Sequence, residues 1–151
     1  MDNSQMRYEA LHPLVEDILN QLSEKIGVNT LFFALNDLNS NFVVKAINHG
    51  KELIEEGTTH VFQHVLCKLV IDETDGKIQI NELLANPMTS HHPVTQTLGN
   101  GSFLGVAIKN ANNEKIGTLC AFDDKPYEFS ETELEMIENY ADIISKSISV
   151  E

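Results

Sequence analysis

The chain has 151 residues, 42% of them hydrophobic and 22% charged, which places it among globular proteins with room for one domain, 1–151, and a core of its own. Twenty-three acidic residues against ten basic ones give a formal net charge of −13. Such a surface repels a phosphate backbone or an anionic bilayer, so neither nucleic acid nor membrane is expected as a partner. No apolar run approaches the roughly 20 residues of a membrane span, and the first residues carry no basic-then-apolar leader. Cys67 and Cys120 form no Cys-x-x-Cys pair, so two free thiols in a reducing, cytoplasmic setting are expected.

In chain order, Leu11, Leu14, Val15, Ile18, Leu19, Leu22 and Ile26 recur at helical spacing and predict a helix over residues 7–26, with Pro13 tolerated in an early turn and Gly27 as the stop. Strands are predicted over residues 30–36 and 42–48, joined by a loop of turn formers at 37–41. After the charged run 51–56 and Gly57, either Thr58 or Thr59 caps a helix over residues 61–71, whose apolar positions cover a broad face. Asp75-Gly76 turns into a short strand at 77–80, and residues 81–101 read as a long, mostly irregular segment with a turn or two of helix, of the kind that is usually functional. Two further strands, 102–109 and 115–123, flank a second hairpin. Ser130 with Glu133 forms a capping box, with Phe129 set to staple onto Leu134, and opens a last helix over residues 130–150. Hairpins dominate and helices bracket the strands, so the class is α+β with an antiparallel central sheet.

The run Ser102-Phe103-Leu104-Gly105-Val106-Ala107-Ile108 is followed after a hairpin by Ile116-Gly117-Thr118-Leu119-Cys120-Ala121-Phe122-Asp123. With Pro126, Phe129, Ser130 and Glu133-Leu134-Glu135, it closely resembles the C-terminal half of GAF domains. Glu56-Gly57, Cys67 and Leu83-Leu84-Ala85-Asn86-Pro87 fit the same family, in a bacterial subclass found at the front of signalling proteins. The resemblance implies an antiparallel sheet of about six strands with the N- and C-terminal helices on one face and a ligand cavity on the other. The roof of that cavity would be helix 61–71 and loop 81–101. Its expected lining is Phe42, Val44, Thr58, Thr59, Val61, Val65, Leu66, Cys67, Ser102 and Leu104, with Asn48 as a further polar candidate. GAF domains of this kind often head a longer kinase or cyclase, so the last helix is expected to carry output.

Cys120 lies among apolar strand residues and reads as an inert core position. Cys67 is more open. Free methionine-(R)-sulfoxide reductases of the GAF family use cysteines in this region, but they need a second thiol in the loop corresponding to residues 81–101, and this loop has none. His60, His64 and Cys67, spaced i, i+4 and i+7, could present metal ligands along one helix face near His91 and His92, yet no carboxylate or second cysteine completes a set, and no metal is assigned. The signatures of bilin attachment and cyclic-nucleotide binding are not found. A helix beginning at 58–61 would direct its free N–H groups at the cavity, which makes a small anion such as nitrate a candidate ligand. The expectation is therefore a sensor domain that is not an enzyme. It would bind a small molecule, carry no assigned cofactor, and signal through its terminal helices to a histidine kinase or similar partner. Val15, Leu19, Leu22, Ile143 and Ile148 would offer a homodimer surface, with burial inside the chain as the alternative. A ligand-free interaction module is the second reading.

Overall fold

The computed structural model describes residues 11–149. Residues 7–10 of the expected first helix and Val150 of the last lie outside the described residues. The first helix, α1 (His12–Lys25), starts with Pro13 in its first turn, where the missing N–H would have had no helical partner, and buries Val15, Ile18, Leu19 and Leu22. Strands β1 (Thr30–Asn36) and β2 (Ser40–Asn48) pair antiparallel. Their turn is shorter than expected because Asp37 Oδ1 accepts from Ser40 N at 2.7 Å and Asn39 N at 2.9 Å, which closes it tightly. The same two N–H groups, Ser40's first, hold the Asp37 carboxyl below its ordinary pKa.

The helix expected over residues 61–71 does not form as one element. Thr59–Val61 is a strand, β3, added to the edge of β2 with Ser40 opposite Val61 and Phe42 opposite Thr59. A single 3-10 turn, Phe62–His64, follows; Val65 is extended at φ −114° and ψ 154°, and only Cys67–Asp72 is helical, as α2. The β-branched Thr59 and Val61 suit a pleated edge, and the preceding backbone is committed to β2: Val43 N donates to Thr58 O and Gly57 N to Val43 O.

Strand β4 (Lys77–Ile80), a 3-10 turn Leu83–Ala85, helix α3 (Pro93–Leu98) and strands β5 (Ser102–Lys109) and β6 (Lys115–Asp123) follow. Helix α4 (Glu131–Ser149) opens on the expected capping box: Ser130 N donates to Glu133 Oε1 at 2.9 Å and Glu133 N to Ser130 Oγ at 3.1 Å. The strands form one antiparallel sheet in the order β3-β2-β1-β6-β5-β4.

Alternation along the strands sends residues to two cores. Leu31, Phe33, Leu104, Ile108, Leu119 and Ala121 face α1 and α4. Phe32, Ala34, Phe103, Cys120 and Phe122 face α2. Gly105 lets α2 lie directly on the sheet, since a Cβ there would stand 2.7 Å from Val70 Cγ2. Val15, Leu19, Leu22 and Ile148 are consumed inside the first core, so the apolar surplus expected on the terminal helices reduces to Ile143. No helix among the described residues is long and apolar enough to cross a membrane.

Candidate functional site

The core beneath α2 does not close. It leaves a void of about 60 Å³ walled by Phe32, Val43, Ile54, Val65, Leu66, Val94, Phe103 and Phe122, with Asn41, His60 and Cys67 as its polar members. A single water needs roughly 10–15 Å³, so the void takes a few water-sized molecules and no large planar cofactor. Ile54, His60, Val65, Val94 and Phe122 also line a more open groove of about 380 Å³ that adds His64, Pro93, Thr97 and Leu98.

Each wall has a local cause. Phe103 and Phe122, on paired strands, meet edge to face with ring centres 6.4 Å apart. Ile54 is delivered by a loop wound around Asn48, whose Oδ1 accepts from Leu53 N at 3.1 Å and Thr30 Oγ1 at 2.7 Å while its Nδ2 donates to Ile54 O at 2.8 Å. Asn48 thus braces the wall and does not reach into the void. Val94 sits in the first turn of α3, where His92 Nδ1 accepts from Val94 N at 3.1 Å as the N-cap. Thr89 Oγ1 donates to Leu83 O at 2.6 Å and ties that segment down.

The polar floor centres on one sulfur. Cys67 Sγ accepts from Thr118 Oγ1 at 3.1 Å and from Asn41 Nδ2 at 3.6 Å, and all three residues are buried. Thr118 and Cys120 share one face of β6, and the Cys120 thiol is also hydrogen-bonded to Cys67. That bond, with those from Thr118 and Asn41, outweighs burial and holds Cys67 below its ordinary pKa; burial and the Cys67 charge push Cys120 well above it.

Of the expected lining, Val65, Leu66 and Cys67 face the void. The fold places the others away from the void. Val44 lies at a bulge in β2, opposite the shift between Phe33 and Ala34, and packs with Leu104 in the core under α1 and α4. Ser102 donates its Oγ to Lys125 O at 3.0 Å and steadies the loop after β6. Phe42, Thr59 and Val61 are exposed at the β2–β3 edge, and Thr58 Oγ1 donates to Glu55 O at 2.6 Å. With β3 in place of a helix start, the N-terminal donors expected for an anion do not exist there. His60, in β3, and His64, in the 3-10 turn, share no helix face with Cys67, and among the described residues no group of three or more His, Cys, Asp or Glu could hold a metal ion.

Asn41, Phe103, Phe122, Val94, Thr118 and Cys120 were not anticipated as site residues. The two-residue alternation of β5 and β6, which sets Phe103 and Phe122 on the face opposite Leu104 and Ala121, is the available signal for the two rings; Asn41 falls in the segment 37–41 that reads as loop. Cys120 is fully buried, as a core position should be, but it is buried against Cys67.

The chain matches the family model described as GAF domain over residues 10–148. It belongs to the GAF domain family. Solved structures with the same fold include the GAF domain of a two-component sensor histidine kinase from Bacillus halodurans, with 18% identity, a TM-score of 0.63, and 89% of this chain and 92% of that one covered. The cyanobacteriochrome receptor PixJ matches at 13% identity and TM-score 0.73, covering 94% of this chain and 97% of that one. Free methionine-R-sulfoxide reductase from Neisseria meningitidis, solved with its substrate, matches at 19% identity and TM-score 0.64, with 98% and 91% covered. None of the curated proteins matches the chain in sequence. At these identities the likeness concerns the fold. It also corrects the expectation of a chain that is not an enzyme: methionine-R-sulfoxide reductases are GAF-fold enzymes, so membership of the family gives that expectation no support. Loop 81–101 carries no cysteine, and the thiol that stands beside Cys67 is that of Cys120 on β6.

Proposed function

We propose that this GAF domain is a small-molecule sensor of bacterial signal transduction, taking its ligand into the void beneath α2 and the groove that adjoins it. The observation that carries the reading is a void left in the core beneath α2, with apolar walls over a buried polar floor of Asn41 and Cys67, the sulfur held from behind by Thr118. Mostly apolar pockets with a few convergent polar groups are the usual form of small-ligand sites. The lining of the void and groove holds no Lys or Arg and only His60 and His64 can bring a positive charge, so a compact neutral molecule fits better than nitrate or another anion. Ligand contacts with Val65 and Val94 would couple α2 and α3 to the sheet, and the sheet to α1 and α4, the route to a kinase or similar signalling partner. The solved histidine-kinase GAF domains are consistent with such a partner. The free thiols suit a cytoplasmic setting. A homodimer through α1 and α4 would have to be built around Ile143 and polar contacts.

The test is a thermal-shift and native mass-spectrometry screen against amino acids, nucleotides, small neutral metabolites, nitrate and other anions. A ligand at 100 times its dissociation constant should stabilise the fold by about 2.7 kcal/mol. Val94→Trp, which fills the mouth of the void, should abolish that shift. No shift with any class would favour the second reading, an interaction module, which rests on Leu38, Phe42 and Val61 standing exposed at one edge of the sheet.

A further inference from the structure

The two cysteines of this chain are 53 residues apart in sequence, yet the fold brings them together in one buried core, Cys67 at the start of α2 and Cys120 in the middle of β6. Their surroundings differ in a way that divides labour between them. Cys67 lines the void, which adjoins the open groove through Ile54, His60 and Val94. Cys120 does not line it and lies behind Cys67 on the sheet, its neighbours Phe32 and Gly105 on the flanking strands.

The hydrogen bonds around Cys67 run in one direction. Thr118 Oγ1 and Asn41 Nδ2 both donate to its sulfur, and the Cys120 thiol is the third partner. A neutral thiol is a weak acceptor, whereas a thiolate accepts strongly. Three donor groups converging on one buried sulfur, in walls that are otherwise apolar, form a cradle for the deprotonated form, which is the nucleophilic form.

We propose that Cys67 and Cys120 are a reversible dithiol–disulfide pair, oxidised by a hydroperoxide small enough to enter the void. In the first step the Cys67 thiolate attacks the near oxygen of the peroxide. The O–O bond breaks, a Cys67 sulfenic acid forms, and the distal oxygen leaves as hydroxide, or as an alkoxide from an organic hydroperoxide, which takes up the proton that the Cys67 thiol released on ionising and departs as water or an alcohol. In the second step the Cys120 sulfur displaces the hydroxyl from Cys67, the S–S bond forms, and a water leaves carrying the Cys120 proton. Two electrons pass from the two thiols to the peroxide. Exchange with an external dithiol restores both thiols and carries the electrons away as its own disulfide. Closing the bond ties α2 to β6 and removes the sulfur that Asn41 and Thr118 bind, so the floor of the void changes with oxidation. The pair stands independently of the ligand proposed above, because it needs the void only as an entrance.

The experiment treats the reduced, folded chain with hydrogen peroxide near stoichiometry and maps peptides without reduction. The expected product is a single intramolecular Cys67–Cys120 disulfide, reversed by dithiothreitol, in a chain that remains monomeric with respect to covalent links. In Cys120→Ser, Cys67 should stop at the sulfenic acid and be captured by dimedone; Cys120→Ala provides the same reading should the serine disturb the core. In Cys67→Ser, Cys120 should stay unmodified. Thr118→Val keeps the shape but deletes one donor, and should slow oxidation of Cys67 by roughly tenfold, the low end of what a hydrogen bond to a charged group contributes. A merely structural role for Thr118 would leave that rate unchanged in the folded protein. Thiols that react only after denaturation, oxidation to sulfonic acid without a disulfide, disulfides only between chains, or an unaltered rate in Thr118→Val would each overturn the proposal.

Discussion

On the face of the sheet covered by α1 and α4, two long helices of 14 and 19 residues set Val15, Leu19, Leu22, Ile137 and Ile144 against Leu31, Phe33, Leu104 and Leu119, and none of these side chains is more than 1% exposed. On the opposite face α2 and α3 have six residues each, the intervening chain is loop and 3-10 turn, and a void persists beside Cys67. Both faces are apolar and use the same strands at alternate positions. The difference lies in how much helix covers them. A long amphipathic helix can supply a continuous stripe that fills every gap, while short elements joined by loops leave gaps and bring polar backbone and side chains to the edges. On the reading proposed above, the face under α1 and α4 carries most of the stability and the face under α2 admits the small molecule.

The contrast can be broken by mutation. Leu22→Ala on the closed face should cost about 3 kcal/mol, within the usual range for a fully buried leucine, read from chemical denaturation at constant m-value. Gly105→Ala on the open face should cost about 1–3 kcal/mol for a different reason, overpacking: the new methyl meets Val70 Cγ2 and the Phe103 ring, and α2 must lift. Because α2 carries Cys67, that variant should also change thiol reactivity, which Leu22→Ala should not. Ser130→Ala removes one half of the capping box and should cost about 1 kcal/mol with no effect on the open face. Val94→Ala, at the mouth of the void, should cost less than about 1 kcal/mol, since its surroundings are already incompletely packed. If Val94→Ala proved as costly as Leu22→Ala, the two faces would be equally closed and the comparison would fail.

The same contrast governs what could be read from residues alone. Strands β1, β4, β5 and β6 and the start of α4 were legible at their boundaries, because alternation and turn formers such as Asp75-Gly76 or Ser130 with Glu133 act locally. Residues 59–66 were not. Val61, Phe62, Val65 and Leu66 fall at helical spacing, and what turns Thr59–Val61 into a strand is the free edge of β2 at Ser40 to Phe42, a partner that only the assembled sheet supplies. At the site, Val65, Leu66 and Cys67 were legible. The residue of β5 that lines the void is Phe103, while its neighbour Leu104 points to the other face, since one step along a strand reverses the side chain. The pairing of Cys67 with Cys120 was invisible, since it depends on α2 settling over β6 in the slot left by Gly105.

The most direct measurement of the central claim, that one face of this GAF domain is closed and the other open to small molecules, is a crystal structure under xenon pressure. Xenon is apolar and small enough for voids of this kind. A single strong xenon site against Phe32, Phe103, Phe122 and Cys67, with none between the sheet and α1 or α4, is the expected result. Xenon absent from that void, or lodged in the layer beneath α1 and α4, would contradict it.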